Sequence, residues 1–164
     1  MTHTYLVALG SNRRHGRYGR PRDVLAAAVA ALAREGMTVR GVAPLLMTDP
    51  VGPSRRRYAN GAAVIETDLE PPALLAALKR IERAFGRRPG GQRWTARVLD
   101  VDIVQWSGGC FAGPGLTIPH PLFRTRVFVL GPAAAIAPGW RDPVTGLTMR
   151  QLRAQLTRPR PLRR

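Results

Sequence analysis

Asp100 and Asp102 stand two positions apart in the run QRWTARVLDVDIV, residues 92 to 104. Val98, Leu99, Val101, Ile103 and Val104 predict a buried β-strand here, whose alternate side chains share a face about 6.5 Å apart. Two carboxylates side by side in an apolar strand repel each other unless a cation joins them. Such a pair suits Mg²⁺, an ion that commonly keeps substrate phosphates among its ligands. Arg93, Trp94 and Arg97 lie just upstream and offer a stacking surface and two phosphate-pairing guanidiniums. The run predicts a phosphate-handling metal site.

Other candidates fall on either side of it. Glu82 is a helix carboxylate close by in sequence, and Arg87 and Arg88 follow the end of the same helix. The helix dipole favours cations there as well, so a structural and a phosphate-binding reading both stand for these arginines. His120 is held between Pro119 and Pro121, and with Arg126 six residues later it can present two donors to a phosphate. Tyr58 and Asn60 alternate on a predicted strand and therefore share a face. Phe128 could meet Tyr58 across a cleft and sandwich a flat ring whose edge Asn60 reads, or it could be a core aromatic. Gly10-Ser11-Asn12 reads as a turn at the end of the first strand.

These residues need a scaffold, and the hydrophobic periodicity supplies one. TYLVALGSN predicts a short buried strand, and 12–22 a polar, arginine-rich loop. Asp23 to Glu35 predicts an amphipathic helix with Leu25, Val29 and Leu32 inward, stopped by Gly36. A second strand is expected from Met37 to about Leu46 and a third from Tyr58 to Thr67. Pro71 and Pro72 open a helix whose stripe is Leu74, Leu75, Leu78, Ile81 and Phe85, ended by Gly86. After the aspartate strand come a glycine-rich turn, a short segment at 116–118 and helices over 127–135 and, capped by Thr148, to Leu156. The order β-α-β-β-α-β predicts a ferredoxin-like α+β fold: an antiparallel sheet, helices on both faces, and extra C-terminal segments. One domain is expected over 1–157, with 158–164 a disordered basic tail.

Composition sets limits on the class. At 164 residues, 45% hydrophobic and 22% charged, the chain is long enough to bury a core. The single cysteine, Cys110, rules out an internal disulfide and fits a reducing compartment; with no long apolar run, cytoplasmic localisation is expected. The formal charge of +16 is almost all arginine, Lys79 being the only lysine. The arginines lie scattered through loops without interleaved aromatics, which argues against a nucleic-acid surface, although a positive field would concentrate polyphosphates.

Taken in order, the motifs resemble the 6-hydroxymethyl-7,8-dihydropterin pyrophosphokinase family. They are ALGSN, the T-x-P-x-G-P of Thr48 to Pro53, Y-x-N at Tyr58 to Asn60, I-E at Ile81-Glu82 and G-R at Gly86-Arg87. R-W-x-x-R-x-L-D-x-D at Arg93 to Asp102 and P-H-P-x-x-x-x-R-x-F at Pro119 to Phe128 complete the set. The resemblance implies transfer of pyrophosphate from ATP to the pterin hydroxymethyl group, with release of AMP, by a monomer acting on small molecules. It implies two Mg²⁺ ions on Asp100 and Asp102, with Arg87 and Arg97 assisting catalysis. It places Glu82, Arg87, Trp94, Arg97, Ile103, Thr117, His120 and Arg126 on the ATP side, and Thr48, Val51, Tyr58, Asn60 and Phe128 around the pterin. The competing readings are a basic ferredoxin-like nucleic-acid-binding module and a relative that binds ATP or pterin without catalysis.

Overall fold

A computed structural model describes residues 1–49, 57–86 and 98–159. Its centre is β1, His3–Ser11, an alternating strand that sends Tyr5, Val7 and Leu9 into one core and Leu6 into another. β4, Tyr58–Thr67, pairs antiparallel with one edge of β1, and β5, Asp100–Trp106, pairs antiparallel with the other. β2, Thr38–Val42, lies outside β4, so the strand order is β2-β4-β1-β5. β3, Leu46–Thr48, pairs with the opposite end of β4, around Asn60.

The single strand expected from Met37 to Leu46 is therefore two. The register against β4 shifts between Val39 and Gly41. Pro44, which has no N–H to donate to a ladder, separates the two pieces. The break matters because it turns β3 toward the Asn60 end of β4. The aspartate strand also starts later than its apolar run suggests, at Asp100 rather than Val98.

α1, Pro21–Arg34, begins two residues ahead of expectation, because Pro21 fits the first turn and Asp23 accepts from the Arg20 backbone N–H at 3.1 Å. The chain leaves it through Gly36 at a φ of +83°, a conformation that suits glycine. α2, Pro71–Ala84, buries Leu74, Ala77, Leu78 and Ile81. Both helices share one core with Tyr5, Val7, Leu9, Val101 and Ile103 on one face of the sheet. α3, Val127–Ile136, and α4, Met149–Leu156, cover the other face, with Leu6, Ala62, Val104 and Phe123 beneath them. Thr148 and Gln151 form a capping box at α4, as the sequence predicts for Thr148. The turn after β5 carries a small hairpin of β6, Phe111–Gly113, and β7, Leu116–Ile118. Helices on both faces of an antiparallel sheet make this the expected α+β ferredoxin-like fold.

The loop into α3 is tied to the C-terminal segment by a charge pair. Arg124, in a single 3-10 turn at Phe123–Thr125, donates through Nε and Nη2 to the two carboxylate oxygens of Asp142, both at 2.7 Å. Thr145 Oγ1 donates to the same carboxylate at 2.6 Å and the Val144 N–H at 3.2 Å. Burial works against ionisation of Asp142, yet these donors outweigh it and hold its pKa below the ordinary 3.8. A carboxyl depressed in the folded state stabilises above its unfolded pKa and loses that contribution as pH falls through the lowered value. The melting difference between wild type and Asp142→Asn should thus be largest near neutrality and shrink steadily below about pH 4, as thermal melts across pH would show.

Candidate active site

The register of the sheet places the candidate residues on one surface. Asp100 is the cross-strand partner of Gly10, and Gly10 on its other side is the partner of Asn60. Asp102 is likewise opposite Ala8, which is opposite Ala62. Asp100 and Asp102 alternate with Val101 and Ile103, which point into the α1/α2 core, so the two carboxylates lie on the α3 side. A floor of small residues, Gly10, Ala8 and Ala62, thus runs between the aspartates and Asn60. Two strand spacings, about 10 Å, separate Asp100 from Asn60 along that row.

At the far end, β3 sets Thr48 opposite Tyr58 and Leu46 opposite Asn60. Asn60 is buried and its Nδ2 donates to Thr48 Oγ1 at 2.8 Å. α3 packs over β3 and β4, which brings half-buried Phe128 to the side of the sheet holding Thr48, Tyr58 and Asn60. The guanidinium of Arg126, the residue just before α3, lies 5.7 Å from the Phe128 ring centre. The structure therefore brings Thr48, Tyr58, Asn60 and Phe128 to one side of one sheet; alternation along the strand predicts the shared face of Tyr58 and Asn60 alone.

At the near end, the loop after β7 runs along β5. The His120 N–H donates to the Val104 carbonyl at 3.0 Å, and His120 Nε2 lies 3.9 Å from Asp102 Oδ2. His120 Nδ1 accepts from the Leu122 N–H at 3.1 Å, so in the neutral ring the proton sits on Nε2, facing the aspartate. Burial favours that neutral form by lowering the His120 pKa; Asp102 opposes the shift and Arg126 adds to it. Asp102 is moved the other way. Burial and then the neighbouring Asp100 charge raise its pKa, while His120 and Lys79 pull it back. A pair of carboxylates in that condition gains from a divalent cation.

Glu82 turns out to serve β5 directly. It is fully buried on α2, and its carboxylate accepts from the Val101 N–H at 2.8 Å, the backbone group between the two aspartates. Lys79 donates to it at 3.0 Å. Sequence spacing placed Glu82 near the site, and Lys79 at i−3 was readable as its partner; the bond to Val101 was not. Ile103 packs its side chain into the core, which leaves its backbone as the part that could meet a ligand. Thr117 is exposed on β7. Val51, Arg87, Trp94 and Arg97 lie outside the described residues.

Residues 6–138 match the family model for 7,8-dihydro-6-hydroxymethylpterin-pyrophosphokinase, HPPK. The chain belongs to the HPPK family. Among its relatives, the 2-amino-4-hydroxy-6-hydroxymethyldihydropteridine pyrophosphokinase of Pseudomonas aeruginosa is 40% identical over 84% of this chain and 82% of its own length. The Synechocystis protein of the same name is 37% identical over 94% of this chain and 76% of its own length. The fold agrees with that of the HPPK-DHPS protein of Plasmodium falciparum in its pteroate complex, with a TM-score of 0.71 at 14% identity. That match covers 94% of this chain and 42% of the Plasmodium chain. HPPK membership supports the pterin pyrophosphokinase reading. Among the described residues no helix is long and apolar enough to cross a membrane, and no group of three His, Cys, Asp or Glu is placed to hold a metal alone.

Proposed function

We propose that this chain carries out Mg²⁺-dependent transfer of pyrophosphate from ATP to the hydroxymethyl group of 6-hydroxymethyl-7,8-dihydropterin, releasing AMP, with Asp100 and Asp102 as the metal ligands. The observation that carries this reading is the row Asp100, Gly10, Asn60 across three strands. It sets a carboxylate pair about two strand spacings from a buried amide, with Gly10 between Asp100 and Asn60 along the row. That span suits a flat bicyclic ring at Asn60 whose one-carbon arm reaches toward phosphates held at the aspartates.

The donor chemistry fits magnesium: two hard carboxylate oxygen donors on one face of one strand, where burial and then the Asp100 charge raise the pKa of Asp102, and an ion that commonly completes its shell with phosphate oxygens. When bound, the ions would neutralise charge on the triphosphate and on the departing AMP. The protein's part is mainly placement. In-line attack of the hydroxymethyl oxygen on the β-phosphorus needs nucleophile and leaving oxygen held in order, more than it needs a strong base. Thr48, Tyr58, Asn60 and Phe128 would seat the pterin. His120, offering the Nε2 proton, and Arg126 would pair with phosphate oxygens. Val51 would join the pterin pocket, and Arg87, Trp94 and Arg97 the nucleotide side, with the two arginines adding positive charge near the transferred group. Glu82 supports the aspartate strand through Val101, and Ile103 and Thr117 lie on the nucleotide side.

The assay is direct. Protein, Mg-ATP and the reduced pterin alcohol should give AMP and the pterin pyrophosphate in equal amounts. AMP formed at the same rate without pterin, or no AMP with both substrates, would overturn the reading.

A further inference from the structure

The loop from Pro119 to Arg126 bears both described phosphate-side groups, His120 and Arg126, yet its regular structure is one 3-10 turn. It is fastened at three points. His120 N–H is bonded to Val104 on β5, Phe123 is wholly buried in the α3/α4 core, and Arg124 is clamped to Asp142. Arg124 lies within the matched family region, which ends at 138, and its partner Asp142 lies beyond it. Asp142 sits in a turn where its backbone N–H donates to the Leu147 carbonyl at 2.9 Å, just ahead of α4.

We infer that Asp142 and Arg124 are positioning residues for the nucleotide: the C-terminal turn sets where Arg126 stands relative to Asp102. A buried ion pair adds little net stability for the desolvation it costs, and its best-attested return is a single fixed register. This one has good geometry for that purpose. The carboxylate of Asp142 is fully buried, both its oxygens meet the guanidinium fork, and Thr145 adds a third side-chain bond. Arg124 also lies over the Phe123 ring at 4.6 Å, so a shift of the fork would move the loop's core anchor. The His120 end keeps its own bond to β5 when the clamp is cut. The Arg126 end keeps the bonds by which its carbonyl accepts from the Val129 and Leu130 N–H groups of α3 at 3.0 and 2.9 Å, but the chain that leads into that cap, two residues from Arg124, loses its tie to the C-terminal turn. α3 packs separately on β3 and β4, so the pterin side should hold its place. The clamp should accordingly act on ATP and leave pterin binding alone.

This inference rests on the proposed reaction, and one experiment separates the two. Asp142→Asn is compared with wild type for the KM of each substrate, and for pterin affinity by calorimetry in the absence of nucleotide, well below the melting temperature. The expected result is an ATP KM raised roughly ten-fold, with pterin KM and pterin affinity unchanged within two-fold. Arg124→Gln should give the same split, and the double variant should be no worse than either single one, because both cut one link. An unchanged ATP KM in folded, active variants, or both KM values rising together, would overturn the inference. Inactivity of the wild type would instead overturn the reaction. Should Asp142→Asn not fold, Thr145→Val removes one donor from the same carboxylate and keeps Arg124. A rise of about two-fold or more in ATP KM alone supports the clamp, and no change rejects it.

Discussion

Asp102→Asn should leave a folded protein that has lost nearly all turnover, a fall of roughly 10²- to 10³-fold in kcat. The two halves of that expectation come from the same electrostatics. With no cation present, ionised Asp102 is a liability: burial and the charge of Asp100 both raise its pKa. A neutral amide of the same shape relieves that repulsion, so the melting temperature of the metal-free variant should equal or exceed that of wild type. The amide also removes the charged oxygen that a divalent ion on this strand would require as a ligand. Added magnesium with a non-hydrolysable ATP analogue should raise the melting temperature of wild type and have little effect on Asp102→Asn. Asp100→Asn should behave alike. Retention of more than about a tenth of wild-type turnover by Asp102→Asn would place the metal elsewhere.

The parts of this site that could be read from the sequence are those whose signal is local. Strand alternation gives Asp100 and Asp102 a common face and Tyr58 and Asn60 a common face, and the structure keeps both pairings and sets them on the same side of the sheet. The stripes on α1 and α2 set their inward sides to within a residue or two, because an amphipathic helix carries its own period. Which strands are neighbours is different information. That Gly10 lies between Asp100 and Asn60 follows from register between segments far apart in sequence, fixed by the core on either face rather than by any motif.

Glu82 shows the same boundary from the other side. Its nearness in sequence to the aspartate pair is visible; its role as acceptor for the Val101 N–H depends on how close α2 lies to the edge of β5. Arg124 and Asp142 are a plainer case. An arginine among twenty-five and an aspartate outside every motif carry no local mark, and only folding the C-terminal turn against the loop pairs them. The division of β2 from β3 is more accessible, since Pro44 stands inside the apolar run from Met37 to Leu46.

Asn60→Ala should raise the pterin KM by about ten- to a hundred-fold while leaving the ATP KM within two-fold. The amide is buried, and its donor side is committed to Thr48 Oγ1 at 2.8 Å. That bond fixes which way the group faces. The carbonyl oxygen is turned toward β1, lying 3.9 Å from where a Cβ on Gly10 would stand. An acceptor so placed, over a glycine and beside the row leading to Asp100, suits an N–H edge of a fused ring whose opposite arm runs toward the aspartates. Alanine removes the acceptor and leaves the ring's donor facing a small apolar gap, a loss of about 1–3 kcal/mol in binding. Among the described residues this amide bonds to β3 and to none of the nucleotide-side groups, so the ATP KM should hold. Asn60→Asp separates orientation from chemistry: it keeps an acceptor, takes away the donor to Thr48, and should therefore weaken pterin binding less than alanine does. Pterin titrations of the three proteins by calorimetry give the order directly, and an alanine variant that binds as wild type would remove Asn60 from the pocket.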